Sequence, residues 1–84
     1  MNIINGFIEN VTVVPTTADT HMVTFILGRE PCKAFNNLAN MVEALQGQEV
    51  QAEGFWRPCR DDRELDVRSI RCSNAASGFV TIVE

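Results

Sequence analysis

The fold is decided by Gly47–Ile70, GQEVQAEGFWRPCRDDRELDVRSI. In its first half Val50, Ala52, Gly54 and Trp56 alternate with Glu49, Gln51, Glu53 and Phe55. A period of two sends successive side chains to opposite faces of a strand, so one face here is small and apolar and the other largely polar. Pro58–Arg63 interrupts the alternation, and Leu65 and Val67 resume it towards Ile70. Two alternating runs around a charged break predict a β-hairpin. The same phase puts Trp56 inside with Val50 and Ala52, and Phe55 outside. Base stacking is the other role open to Trp56, and cover by the C-terminal segment is an equal explanation for Phe55.

Immediately upstream the period changes. Leu38, Met41, Val42 and Leu45 stand at i, i+3, i+4 and i+7, the apolar stripe of an amphipathic helix. Asn36 or Asn37 can cap its start, and Gly47 lies where a C-terminal glycine belongs. Before it, Cys32–Phe35 reads as a short strand after the turn Gly28–Pro31. His21–Leu27 reads as a strand with Val23, Phe25 and Leu27 on one side and Met22, Thr24 and Ile26 on the other. Apolar residues on both faces suit a central strand or a contact surface. A first strand runs from Ile4 through Ile8, Val11 and Val13 to Pro15, followed by a polar turn over Pro15–Thr20. Gly6 marks a place where a Cβ would obstruct coiling or close approach. At the other end Ser73–Ser77 is small and polar, and Gly78–Glu84 has the composition of one added strand.

Eighty-four residues make one domain, and 45% apolar content places it among globular proteins. No apolar run approaches the roughly 20 residues that span a bilayer, and MNIINGFIEN lacks a signal-peptide pattern, so the cytoplasm is the expected compartment. Cys32, Cys59 and Cys72 form no CxxC pair, and the single histidine, His21, completes no zinc pattern. They are expected to be unbridged thiols, with no metal and no cofactor. Net charge is −4, which opposes non-specific attraction to a polyanion. Five of the seven basic side chains nevertheless cluster in Arg57–Arg71, interleaved with Asp61, Asp62, Glu64 and Asp66.

The element order is β-β-β-α-β-β with one further β possible. Ile4-x-Gly6-x-Ile8, Val23-x-Phe25-x-Leu27, Gly47-x-x-Val50-x-Ala52-x-Gly54-x-Trp56 and Leu65-x-Val67-x-x-Ile70 together resemble the OB domains of the tRNA-anticodon and single-strand-binding type. The likeness covers roughly residues 3–72, with 73–84 left as a tail. It implies a mainly β fold, a five-stranded Greek-key barrel with one helix between strands three and four. The chain departs from the strongly binding members in being acidic and in the very short link between strands two and three.

The resemblance further implies a non-catalytic module for single-stranded DNA or RNA, using a groove over strands two and three and the loop between four and five. Transferred to this chain, Thr24, Ile26, Lys33 and Phe35 line the face, Arg57, Arg60 and Arg63 lie in or beside the loop, and Arg68 points outward from strand five. Phe55 adds an exposed ring. Each has a plainer role: Phe35 as the start of the helix contact, and the arginines as members of a solvated, ion-paired hairpin. The second function is protein interaction, as a self-associating subunit or an adaptor, through Met22, Ile26, Phe55 and the tail Phe79–Val83. Neither the carboxylates of the break nor His21 has the partners that catalysis requires, so no enzyme is expected.

Overall fold

The structure is a computed structural model describing residues 1–16, 19–74 and 78–83, with side chains as far as Cys72. It is mainly β with one helix. The elements are β1 (Asn2–Phe7), β2 (Glu9–Val14), β3 (Met22–Leu27), β4 (Glu30–Phe35), α1 (Asn36–Ala44), β5 (Glu49–Cys59), β6 (Asp62–Asn74) and β7 (Gly78–Val83). The strands hydrogen-bond in the order β1-β5-β6-β4-β3-β2, and β7 pairs with β6 off that path. Every ladder is antiparallel except the short one joining Cys32 and Lys33 of β4 to Leu65 and Asp66 of β6.

The single first strand expected from the alternation is two. β1 pairs with β5 and β2 pairs with β3, at opposite ends of the path. Among the described residues no ladder joins β1 to β2; the path is open there, and only the chain itself, through Ile8, connects its ends. The break has a local cause. Ile8 is buried, and its backbone leaves the sheet to meet the turn after the helix: its N–H donates to Gln48 O at 3.0 Å and its carbonyl accepts from Gly47 N at 2.8 Å. Two residues on, Asn10 adopts a left-handed φ of 54°, and the β2–β3 register slips between Glu9 and Thr12. A bulge of this kind bends a strand and increases its twist.

Inside the curled sheet lies one core, built from Ile8, Val23, Phe25, Leu27, Val50, Leu65, Val67 and Ile70 together with the helix residues Leu38, Ala39 and Val42. Both alternating runs face as their phase requires. Burying a Leu, Val or Ile side chain contributes about 1.5–3 kcal/mol, so this set is the main source of stability. Close approach of backbones completes the packing. A Cβ on Gly6 of β1 would lie 2.8 Å from Gly28 Cα, so β1 crosses the β3–β4 turn only because Gly6 has none. That turn is Gly28-Arg29 with φ of 56° and 68°, both left-handed as a two-residue type I′ hairpin demands.

The helix start differs from expectation. The N-cap is Phe35, without a side-chain cap bond. Asn36 instead has φ of 54° and turns sideways to β3: its N–H donates to His21 O at 2.7 Å, and its Oδ1 accepts from His21 N at 3.2 Å. At the other end Gly47, φ 81°, follows the C-cap Leu45 by two residues and lets the chain turn into β5. The helix is thus latched to β3 at one end and to Ile8 at the other. No helix of the described residues is long and apolar enough to cross a membrane.

β7 runs antiparallel along Ser69–Asn74 of β6. The side chains of Phe79–Val83, expected to supply an apolar docking strand, lie outside the described residues, as do Glu84, residues 75–77 of the polar link and residues 17–18 of the Pro15–Thr20 turn.

Candidate functional site

The outward side chains of β3, β4, β6 and β5 form one continuous surface. Cys32 and Ala34 point into the core, so Lys33 and Phe35 between and after them point out. Thr24 of β3 is level with Lys33, Lys33 with Asp66, and Asp66 with Phe55, giving one row across four strands. Met22 and Phe35 pair on one side of this row; Glu64 and Arg57 pair on the other. Neighbouring strands are about 4.8 Å apart, which puts Lys33 and Phe55 roughly 10 Å from each other across β6.

The β6 register slips between Glu53 and Gly54, so Gly54 faces Val67 while Glu53 faces Ser69. The intervening Arg68 is left to lean over the same surface. This explains why Val67 and Ile70, three residues apart, are both buried.

Phe55 is 42% exposed, as its phase predicts. Arg57 and Arg68 flank it, their guanidinium carbons 5.9 and 6.0 Å from the ring centroid. Lys33 stands 5.9 Å from the ring of Phe35. Cations at such distances are attracted to a ring's negative face. Each cation also has an acidic partner: Arg57 Nε is 3.5 Å and Arg68 Nη2 3.2 Å from the same Asp66 Oδ2, and Lys33 Nζ is 3.8 Å from Glu64 Oε1. Asp66 is the one charged side chain that is buried among the described residues, with 8% exposure. Two guanidinium groups on one carboxylate oxygen compensate for that burial.

Five of the expected site residues, Lys33, Phe35, Phe55, Arg57 and Arg68, therefore meet on one surface. The other two do not join them. Arg60 occupies the two-residue tip of the β5–β6 hairpin with φ 56°, exposed and without an ion pair among the described residues. Arg63 lies on the inner side of the hairpin, its guanidinium carbon 3.9 Å from the Trp56 ring centroid. Trp56 itself is half-buried and packs against the core, so Arg63 covers the part of the ring that the core leaves open.

Asp66 and Glu64 were not among the expected site residues. In the sequence they read as ordinary polar positions of an alternating strand, and only the cross-strand register reveals their partners. Beside them an open groove of about 320 Å³ runs between Asn10 of β2 and Glu64, floored by Thr24, Ile26 and Pro31. Ile26 and Met22, expected to face outward, are half-buried. Among the described side chains, the large apolar residues that are exposed are Met1, Ile3, Phe7, Val13 and Phe55.

Cys32 is fully buried beneath this surface, and its thiol is pushed up to about 12 by burial first and by Glu64 and Glu30 second. It is a protonated core residue at neutral pH and not a nucleophile. Among the described residues no group of three or more His, Cys, Asp and Glu side chains could hold a metal ion. His21 Nε2 lies 2.5 Å from Glu43 Oε1, tying the residue before β3 to the helix. No protein-family model, no curated protein and no solved structure matches the chain.

Proposed function

We propose that the chain is an OB-type, non-catalytic module that binds single-stranded DNA or RNA across the outer surface of β3, β4, β6 and β5. The observation that carries this reading is Phe55: a ring 42% exposed, flanked by two arginines and level with Lys33. A single strand offers unstacked bases and phosphates together, and a ring bordered by cations receives both. Phe55 and Phe35 are the stacking platforms. Lys33, Arg57 and Arg68 contact phosphates, and Arg60 extends that reach from the hairpin tip. The OB assignment is supported by the helix between β4 and β5, the parallel β4–β6 pair, and the fact that the two ends of the strand path are successive segments of one chain run. Compensating carboxylates and the net charge of −4 make the interaction modest at physiological salt.

Fluorescence anisotropy with labelled oligo-dT and mixed-sequence RNA at low salt tests the proposal. Saturable binding that weakens in F55A and in the R57A/R68A double variant is the expected result. No binding at tens of micromolar protein, or binding indifferent to those residues, overturns it.

A second reading is a protein-interaction module. It is favoured by the outer side of β1, where Ile3 and Phe7 are each more than half exposed, and by β7, which pairs through its backbone on one side only among the described residues. Concentration-dependent sedimentation, lost in the I3S/F7S double variant, would support it; a monomer at all concentrations would remove its self-associating form.

A further inference from the structure

Resting on that reading of the surface, we infer that Asp66 is a built-in competitor for phosphate: it occupies Arg57 and Arg68 in the unliganded chain and sets how tightly a strand is held. The geometry is unusual for a surface ion pair. Asp66 faces outward by strand phase, yet it is 8% exposed, and a single oxygen, Oδ2, receives both guanidinium groups. Those groups are themselves about half exposed, 51% and 45%, and both overhang the Phe55 ring. The fork is therefore open to solvent on the side away from Asp66, while its inner side is already filled by an anion.

An incoming phosphate oxygen meets two donors whose positive charge is partly spent on the carboxylate. It binds by sharing or displacing that contact, and Asp66 then faces Lys33, its register neighbour on β4. A polyanion with nothing to stack gains little from this exchange. A strand that also places a base on Phe55 gains the stacking contribution, about 1–3 kcal/mol per base. Asp66 thus discriminates against charge alone. Glu64 stands opposite Arg57 in the β5–β6 register but forms its ion pair with Lys33 alone, at 3.8 Å, so it occupies one cation of the surface where Asp66 occupies two.

The test is D66N, which keeps the side-chain size and an acceptor oxygen while removing the charge, beside E64Q, which removes an equal charge from the same surface. The probe is a labelled oligo-dT of about 12 nucleotides, within the roughly 4–16 that one OB-type domain covers. D66N is expected to bind at least about tenfold tighter than the unaltered chain, with a salt slope steeper by about 0.7, one added phosphate contact on a single strand. E64Q, which frees Lys33 alone, is expected to tighten binding by less than about threefold. Equal gains in D66N and E64Q would show a bulk charge effect and overturn the inference, as would unchanged or weaker binding by folded D66N. If neither variant nor the unaltered chain binds, the functional reading has failed and the inference falls with it. If D66N does not fold, the side-chain Nε–Hε resonances of Arg57 and Arg68 in the unaltered chain decide: both must move on titration with oligo-dT, and fixed positions would refute displacement.

Discussion

Replacing Gly54 by alanine tests whether the β5–β6 bulge is held by steric necessity. Gly54 sits inside the curled sheet opposite Val67, where β6 passes unusually close. An added Cβ would overlap the Asp66 carbonyl oxygen, 2.8 Å from its carbon and 3.0 Å from Val67 Cα. All three are backbone atoms in a strand pinned by β5 on one side and, at Leu65 and Asp66, by β4 on the other. No side chain can swing away. Carbon contacts are comfortable only near 3.5 Å, so β6 would have to move by on the order of 1 Å, taking the buried Val67 with it. Overpacking in a dense core costs about 1–3 kcal/mol, and the upper end applies where backbone must yield. For a domain this small, about 3 kcal/mol lowers Tm by about 12–24 °C. Gly47 supplies the contrast: its φ is 81°, but a Cβ there would meet nothing within 4 Å. G47A carries only the left-handed penalty, about 1–2 kcal/mol. Urea unfolding followed by the fluorescence of Trp56, the single tryptophan, measures both. A G47A loss equal to or larger than that of G54A would refute the steric account.

Two further outcomes follow from the core and its thiol. Burial raises the Cys32 thiol to about 12 in the folded chain, against an ordinary 9.0. Below pH 9 both states hold the proton and the shift has no effect; above it the unfolded chain loses the proton first, so stability falls by about 1.4 kcal/mol per pH unit up to about pH 12. C32A is expected to show a shallower alkaline decline than the unaltered chain in urea titrations between pH 9 and 10.5, and thiol reagents are expected to modify exposed Cys59 first and Cys32 only on unfolding. For the helix, L38A removes a fully buried side chain and is expected to cost about 2–5 kcal/mol, whereas H21A breaks a half-exposed contact with Glu43 worth under about 1 kcal/mol; the reverse order in urea unfolding would mean that the His21–Glu43 contact, not the core face, holds α1.

What could be read from the sequence was whatever depends on local period. Val23, Phe25 and Leu27, or Val50 and Ala52, state their face by alternation, and the opposed phases of Phe55 and Trp56 follow with them. Gly6 stood out because a glycine within a strand marks close approach of another backbone, and it does meet backbone at Gly28; Gly54, read only as one of the small residues of an alternating face, meets the backbone of Asp66 as well. The split at Ile8 was hidden: Ile4-x-Gly6-x-Ile8 keeps a period of two up to the break, and the hydrogen bonds that pull Ile8 out of the sheet come from Gly47 and Gln48, some forty residues away in sequence. Asn36 misled for a similar reason. An asparagine before a helix reads as a cap, but His21, just before β3, offered its backbone groups first. Asp66 is the clearest case, since a charge at an outward position of a strand ordinarily means solvent. Its burial exists only once β5 brings Arg57 and Phe55 beside it and the bulge brings Arg68 over it.

That arrangement also constrains what a ligand must be. Lys33, Arg57 and Arg68 are held by only two carboxylates, Glu64 and Asp66, so the region where a strand would lie carries a single net positive charge, on a chain whose total is −4. Counterion release, the term that draws basic proteins to any duplex, is correspondingly small. A duplex keeps its bases stacked inside and offers Phe55 and Phe35 only sugar and phosphate. A single strand offers faces to stack on. On the proposed function, the surface would favour unpaired over paired nucleic acid by the stacking contribution, with a shallow dependence on salt. Duplex DNA binding as well as oligo-dT of equal length in anisotropy would contradict this: an interface that cannot tell the two apart is using charge, and this surface has almost none to spare.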